Sequence, residues 1–133
     1  WQPRPVGRRV IIGWNGSRES ARAVSDALPL LRQAEAVQVV VVGSQQGSQA
    51  RHGDVPGADI AAHLARHAVP VEATDQTSCD IPVADALLSA AADFDADLLV
   101  MGAYGRSRLR ELILGGTTRR VLSEMTLPVL LAH

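Results

Sequence analysis

The chain has 133 residues, 47% hydrophobic and 20% charged, which excludes a disordered or fibrous protein and fits one globular domain. A formal net charge of −1 provides no cationic field for DNA or RNA, so we expect no nucleic-acid partner. All 13 basic residues are Arg, which excludes Schiff-base chemistry by lysine, and the single cysteine, Cys79, excludes an internal disulfide.

The first residues, 1–5 (WQPRP), lack the apolar segment of a signal peptide, and no apolar run approaches the roughly 20 residues of a membrane span. The sequence therefore predicts a cytoplasmic protein without a membrane partner. Two prolines close together are typical of a connector. Residues 1–8 are predicted to be a linker, compatible with a second domain in a longer chain, and residues 9–133 to be one domain.

Strand and helix patterns alternate from the beginning of the chain. Residues 9–13 form an apolar run closed by glycine, which is typical of a strand buried on both faces. Ser17 is the predicted N-cap of a first helix that ends near Gln33, and Pro29 is expected to kink or tighten its last turns. The β-branched run 37–42 predicts a second, central strand.

The second half of the chain continues the alternation. Apolar spacing predicts a helix over 60–68, followed by a strand over 69–73. A third helix is predicted over 81–94, with proline in its first turn. Residues 97–102 and 127–132 are predicted strands, with a loop and a last helix between them. This βαβ alternation predicts an α/β fold, a doubly wound open sheet of five parallel strands with helices on both faces.

Ligands of such sheets bind beyond the carboxyl ends of the strands, which selects residues 13–17, 43–46 and 102–118. The last segment has two glycine clusters, 102–105 (GAYG) and, nine residues later, 115–116. Glycines allow close backbone approach, and the N–H groups at the start of a helix attract phosphate oxygens.

Polar residues after the second glycine cluster strengthen the case for an anion. Thr117 and Thr118 offer hydroxyl donors, and Arg119 or Arg120 offers charge. The alternative is that Gly115 and its neighbour merely turn the chain and Thr117 caps a helix. The segment matches neither a Walker A loop nor a dinucleotide-binding fingerprint. From the residues alone it is an anion-friendly loop.

The pattern Gly-x-x-Gly, nine residues, Gly and a small residue, followed by a Pro-Val strand, resembles the nucleotide-binding signature of the universal stress protein family. Residues 10–17 (VIIGWNGS) resemble the first strand and turn of that family, and residues 127–131 (LPVLL) its last strand. The resemblance implies an adenine nucleotide alpha hydrolase-like sheet of order 3-2-1-4-5, with ATP or a related adenine nucleotide, and Mg²⁺, across strands one and four.

Carried over residue by residue, the resemblance matches Gly102, Gly105 and Gly115 to the phosphate-loop glycines. Two positions depart from the family pattern. Gly116 stands where binders commonly have Ser or Thr, and Asn15 stands where they usually have Asp, so one hydroxyl and one carboxylate are missing. The predicted nucleotide contacts are Gly13, Asn15, Val41, Gly102, Gly105, Arg106, Gly115, Gly116, Thr117 and Thr118.

Other chemistry-bearing residues form no recognisable catalytic or metal site. His63 and His67 have the i,i+4 spacing of zinc ligands, but no third ligand accompanies them, so we interpret them as a solvated pair. No serine lies in a nucleophile elbow, and no catalytic residue is predicted. Trp14 follows the first strand, where it either stacks on a base or covers the sheet.

The resulting prediction is a stress-response domain that binds ATP or a related adenine nucleotide and signals or scaffolds through dimer contacts, with at most slow ATP hydrolysis. Val129, Leu130 and Leu131 would form an apolar edge strand, through which a homodimer or a tandem-domain partner is expected to pair. The alternative is a dimerisation or protein-interaction module whose cleft is vestigial, which Gly116 and Asn15 favour. An enzyme acting on a second substrate ranks last because no further motif supports it.

Overall fold

The computed structural model describes residues 6–41, 58–76, 83–102 and 116–132. Strands and helices alternate strictly through these ranges. In chain order they are β1 (Arg9–Trp14), α1 (Arg18–Arg32), β2 (Ala36–Val41), α2 (Ala58–Arg66), β3 (Val71–Gln76), α3 (Val83–Asp93), β4 (Leu98–Gly102), α4 (Gly116–Glu124) and β5 (Val129–Ala132). None of these helices is long and apolar enough to cross a bilayer.

The strands form one five-stranded sheet in the order β3-β2-β1-β4-β5, with every neighbouring pair parallel. The predicted fold class and strand order are therefore confirmed. β1 lies at the centre, where Ile12 is paired with Val39 of β2 on one side and Val100 of β4 on the other. The chain moves outward in one direction through β2 and β3, then returns to β4, so the order of strands reverses beside β1.

The core consists of two layers, one on each face of the sheet. Val10 and Ile12 pack with α1 and α2, whereas Ile11, between them, packs with α3 and α4. All three side chains are fully buried, which explains why the sequence of β1 is continuously apolar rather than alternating. Burial of each such side chain contributes about 1.5–3 kcal/mol.

Helix α1 begins as predicted. The Ser17 side-chain oxygen accepts a hydrogen bond from the backbone N–H of Ser20 at 3.1 Å, which satisfies a donor of the first turn. Pro29 lies inside the helix, and the turn that follows is tightened, because the N–H of Gln33 bonds to the carbonyl of Leu30 at 3.1 Å. The helix ends at Arg32, close to the predicted end.

The predicted strand over 69–73 is displaced in the structure. The Val69 N–H bonds back to the carbonyl of Leu64 at 3.0 Å. Pro70 has no N–H, and only its carbonyl bonds to β2, accepting from the Val37 N–H at 3.0 Å. The turn after α2 also holds Ala68 in the left-handed region, with φ 62°. β3 therefore begins at Val71 and continues to Gln76.

One carboxylate, that of Asp97, joins the amino ends of β1 and β4. Asp97 Oδ1 accepts from the N–H of Gly7 at 2.7 Å, and both carboxylate oxygens lie 3.1 Å from the N–H of Arg8. The backbone N–H of Arg9 lies 3.3 Å from Asp97 Oδ2. The Arg9 side-chain Nε donates to the Phe94 carbonyl at 2.7 Å. We call this group the Asp97 clamp, and it fixes the segment that leads into β1.

Candidate functional site

The candidate site lies at the carboxyl edge of the sheet, where β1, β2 and β4 end. Gly13 of β1 is paired with Met101 of β4, and Trp14 is paired with Val41 of β2. Helices α1 and α4, which begin at this edge, cover opposite faces of the sheet. The ends of β1 and β4 therefore lie side by side at the point where the strand order reverses, which is where open parallel sheets bind ligands.

Asn15 organises the turn between β1 and α1. Its side-chain Oδ1 accepts a hydrogen bond from the Ser17 N–H at 2.9 Å and another from the Ser20 hydroxyl. The first of these bonds is the Asx-turn arrangement that Asn and Asp share. An Asp here would make both bonds with one oxygen and present a second acceptor, whereas Asn15 presents an amide donor. The departure from the family pattern thus preserves the turn and changes the outward-facing group.

Ser20 is the residue of this turn that sequence reasoning missed. It is 1% exposed, and its hydroxyl lies 3.1 Å from Ser17 Oγ and 3.4 Å from the Asn15 N–H. A buried hydroxyl is costly without partners, so this network is needed to place it there. The available signal was the Ser17-x-x-Ser20 spacing, which puts a second hydroxyl beside the N-cap.

Gly102 has a packing role that does not depend on a ligand. A Cβ added to it would lie 2.6 Å from the Glu19 carbonyl carbon and 2.6 Å from the Ser20 nitrogen. The end of β4 therefore rests directly on the backbone of the first turn of α1. At Gly13, by contrast, an added Cβ would meet side-chain atoms of Leu87 at 3.1 Å and 3.3 Å. Both predicted glycines lie near the carboxyl ends of their strands, and each is explained by close packing.

Trp14 and Val41 lie side by side at the ends of β1 and β2. Val41 is 7% exposed and belongs to the core layer beneath α1 and α2. Trp14 is half-buried, packs against the same layer, and lines a hollow of about 260 Å³ between α1 and α2. We call this hollow the α1–α2 groove; it is lined by Trp14, Ala21, Val24, Ser25, Asp59, Ile60 and His63.

The remaining predicted contacts follow β4. Gly105, Arg106 and Gly115 lie outside the described residues. Gly116, Thr117 and Thr118 form the start of α4. Because the helix begins at Gly116, the alternative in which Thr117 caps it is wrong.

Arg120, predicted as a source of charge for phosphate, is bound to carboxylates. Its Nη2 lies 3.1 Å from Asp85 Oδ1, and its Nε lies 3.4 Å from Glu124 Oε1. The first pair links α4 to α3. The side chain is 48% exposed, so the two ion pairs are solvent-screened and contribute little stability, but they direct the guanidinium along α3 and α4.

His63 of α2 and His67, in the turn that follows the helix, are in tilted ring contact. Their ring centroids are 4.5 Å apart with an interplanar angle of 44°, and His67 Nδ1 lies 2.8 Å from the His63 carbonyl oxygen. In the described ranges, no cluster of three or more His, Cys, Asp or Glu side chains is arranged to hold a metal. The geometry of this pair is that of a local contact at the end of α2.

A model of the universal stress protein family matches residues 7–133. The chain belongs to this family. A universal stress protein of Mycolicibacterium smegmatis is 38% identical over 81 residues, covering 61% of this chain and 59% of that protein. Universal stress protein Slr1230 of Synechocystis is 56% identical over 34 residues, covering 26% of this chain and 12% of that protein. The matches thus span less than two thirds of both relatives.

Solved structures of the family have the same fold. A universal stress protein from Archaeoglobus fulgidus superposes with a TM-score of 0.71 at 19% identity, covering 94% of this chain and 98% of that one. A universal stress protein in complex with cAMP gives 0.66 at 24% identity, covering 95% and 97%. A family protein from Arabidopsis thaliana with AMP bound gives 0.56 at 16% identity, covering 96% and 91%.

Proposed function

We propose that this universal stress protein binds ATP or a related adenine nucleotide across the carboxyl ends of β1 and β4. In the proposal the domain acts in the cytoplasm as a stress-response sensor, and nucleotide occupancy is passed on through dimer contacts. The observation that carries it is the reversal of strand order beside β1, where the end of β1 lies next to the end of β4 and is followed by the exposed Asn15. Solved relatives with cAMP or AMP bound support the adenine nucleotide as ligand.

The start of α4 supports the phosphate end of the proposed ligand. α4 runs for nine residues from Gly116, and its first N–H groups have no partners within the helix. Such groups, aligned with the helix dipole, attract phosphate oxygens. In the proposal Gly116, Thr117 and Thr118 supply these donors. The roles of Gly105, Arg106 and Gly115, and of Mg²⁺ with ATP, follow from the family resemblance.

The proposed dimer contact is β5. It is an edge strand of the sheet, and Val129, Leu130 and Leu131 are only half-buried. Edge strands leave N–H and C=O groups available to another strand, and apolar side chains favour that pairing. The partner is a second domain of the same kind, in another subunit or in the same polypeptide.

A second candidate is a protein-interaction module that binds no nucleotide. The observation that favours it is that Asn15 and Gly102 are both explained within the fold, one by the turn and the other by contact with α1. In this case β5 is the functional surface and the cleft is vestigial. Neither candidate assigns a catalytic residue, and the first allows at most slow ATP hydrolysis.

Isothermal titration with ATP and Mg²⁺, after extraction of any co-purified nucleotide, separates the two candidates. We expect micromolar binding, and we expect Gly115→Val to weaken it at least about tenfold, since a side chain blocks backbone approach to phosphate. Ser123→Ala, at an exposed position further along α4, is the matched control. No heat and no extracted nucleotide from folded protein favours the interaction module.

Sedimentation of the same samples tests the β5 contact. A dimer at micromolar concentration is expected, and its dissociation constant should change on nucleotide addition if occupancy is passed through the interface. A monomer at every concentration, with or without nucleotide, contradicts the dimer part of the proposal. Nucleotide binding is then tested by the calorimetry alone.

A further inference from the structure

The two histidines at the end of α2 are a pair of chemistry-bearing residues that the proposed function does not use. The sequence favours a solvated pair, but the structure adds geometry that two solvated side chains do not need. His63 lies in the last turn of α2, His67 directly follows the helix, and both are half-buried. Their ring centroids are 4.5 Å apart. Two imidazoles held this close on one side of a helix are a candidate pair of metal ligands.

The position of the hydrogen on the His67 ring is set by its neighbour. His67 Nδ1 lies 2.8 Å from the carbonyl oxygen of His63, and a carbonyl only accepts, so the neutral ring carries its hydrogen on Nδ1. The lone pair is then on Nε2. Within the described ranges, no residue forms a hydrogen bond with Nε2 of His67 or with the ring nitrogens of His63. Metal-binding histidines are commonly oriented by such a bond from the other ring nitrogen to a carbonyl.

The backbone that carries His67 is fixed by the turn at the end of α2. The N–H groups of His67 and Val69 both bond to the Leu64 carbonyl at 3.0 Å. The Ala68 N–H bonds to the Ala65 carbonyl at 3.1 Å. A ligand pair whose backbone and one ring are already fixed loses less conformational entropy on binding than two mobile side chains lose.

The separation of the rings indicates the class of metal. Bonds of about 2.0–2.1 Å from an ion to nitrogen place each ring centroid about 3.2 Å from the ion. Ligands at about 90° then have centroids about 4.5 Å apart, and ligands at the tetrahedral angle have centroids about 5.2 Å apart. The distance of 4.5 Å between His63 and His67 matches the smaller angle. Right angles between neighbouring ligands are typical of tetragonal Cu²⁺ and Ni²⁺, whereas Zn²⁺ prefers a tetrahedron.

The charges around the pair permit a cation of moderate affinity. The pair lies at the carboxyl end of α2, where the helix dipole is negative, and Asp59, one turn before His63, adds an exposed carboxylate. Two exposed arginines oppose these groups. They are Arg66, the last residue of α2, and Arg32, whose Nε donates to the His67 carbonyl at 3.2 Å. Two ring nitrogens with water in the remaining positions therefore predict micromolar affinity, weaker than that of a site with three or four protein ligands.

We propose that His63 and His67 form a two-ligand site for a tetragonal divalent metal of the Cu²⁺ and Ni²⁺ class, completed by water. The ion joins the last turn of α2 to the turn that follows it, so its binding stabilises this end of the helix. The inference goes beyond the proposed function and does not depend on it, because it requires neither a nucleotide nor the glycine-rich segment after β4.

Calorimetric titration of the nucleotide-free protein with Cu²⁺ tests the site. Cys79→Ser serves as the parent for these measurements, because a thiol binds and reduces copper. We expect one ion to bind with micromolar affinity. His63→Gln and His67→Gln should each weaken binding at least about tenfold, since the second imidazole no longer binds intramolecularly. His133→Gln, which removes a histidine elsewhere in the chain, should change the affinity less than about twofold.

A relocated histidine tests the spacing directly. His67→Gln combined with Ala65→His keeps four histidines in the chain but places the second one two residues from His63, on a different side of the helix. Ala65 is exposed, so the substitution does not disturb the core. The combined variant should bind Cu²⁺ no better than His67→Gln alone.

Electron paramagnetic resonance of the Cu²⁺ complex reports the ligands, and two imidazole nitrogens are expected in the parent and one in each single variant. Unchanged affinity in His63→Gln and His67→Gln, with both folded by circular dichroism, overturns the site, as does recovery of affinity in the combined variant. If one single variant fails to fold, the other decides. Zn²⁺ binding as tight as Cu²⁺ binding overturns the tetragonal assignment. Nucleotide binding is measured separately with ATP, so it stands or fails independently of this site.

Discussion

The amino and carboxyl edges of the sheet differ in how their polar groups are paired. At the amino edge, the carboxylate of Asp97 binds the N–H groups of Gly7, Arg8 and Arg9, while Arg8 forms an ion pair with Glu35. These groups satisfy one another within the chain. At the carboxyl edge, Asn15 Oδ1 accepts hydrogen bonds from Ser17 and Ser20 within its own turn, and the residue itself is exposed.

Two hollows among the described residues, one toward each edge, also differ in how their polar groups are paired. The larger, about 550 Å³, lies at the amino edge, where the charged side chains that line it include Arg8, Glu35 and Asp97, all already paired. The smaller, about 260 Å³, lies toward the carboxyl edge and combines Trp14 with aliphatic walls. Of these two hollows, size alone would select the one at the amino edge, away from the proposed site. Polar groups that are already paired stabilise the fold, whereas an aromatic and aliphatic lining with polar groups at its rim suits a ligand.

The largest effect is expected at Gly102. Gly102→Ala should lower the free energy of unfolding by about 3 kcal/mol, because the added Cβ meets α1 backbone at 2.6 Å and backbone cannot move aside. Gly13→Ala is the matched control and should cost less than about 1 kcal/mol, since the ends of the Leu87 side chain can shift. Denaturant unfolding measures both. Equal losses in the free energy of unfolding for the two variants would contradict the special role of the Gly102 contact with α1 backbone.

The next effect is expected at the amino edge. Asp97→Ala should cost about 2 kcal/mol in denaturant unfolding, because three backbone N–H groups lose a charged acceptor. Asp97→Asn keeps one acceptor oxygen and should recover part of the loss. Asp93→Ala, exposed at the end of α3, should stay within about 0.5 kcal/mol of the parent. A neutral Asp97→Ala would mean that the clamp contributes no stability.

The smallest effect on stability is expected at Ser20. Ser20→Ala should cost about 1 kcal/mol, because Asn15 Oδ1 loses one of its two donors and Ser17 Oγ loses a neighbour. Ser25→Ala, exposed on the same helix, should change the free energy of unfolding by less than about 0.5 kcal/mol.

Ser20→Ala also tests whether the turn at the carboxyl edge contributes to nucleotide binding. We expect it to weaken nucleotide binding several-fold, because the hydroxyl fixes the side-chain orientation of Asn15. Calorimetry on the folded variant measures this. Unchanged affinity would indicate that the turn is structural only, like the Asp97 clamp.

Most of the fold was predictable because its signals are local. Local patterns predict three of the elements: the apolar run before Gly13 predicts β1, the capping Ser17 predicts α1, and the β-branched run predicts β2. The alternation of strands and helices then implies a parallel sheet. The displaced β3 was not predicted, since a hydrogen bond from Val69 back to α2 outweighs the strand propensity of the valines.

The candidate site was predictable only in part. The sequence directs attention to Gly13, Asn15 and Gly102 because parallel sheets bind ligands beyond their carboxyl ends. It does not distinguish a glycine needed by a ligand from one needed by a neighbouring helix. The contact of Gly102 with α1 joins residues far apart in the chain, so no local pattern reports it.

The sequence by itself determined the family and the order of elements, and it predicted the edge at which a ligand would bind, because these depend on short motifs and hydrophobic spacing. Only the tertiary structure decided which polar groups are already satisfied. It pairs Arg120 with α3, binds Asn15 to the buried Ser20, and gathers Trp14 and Asp59 around one groove. Those relations arise when distant segments pack together, and the free energy of a polar or aromatic side chain depends on what packing places beside it.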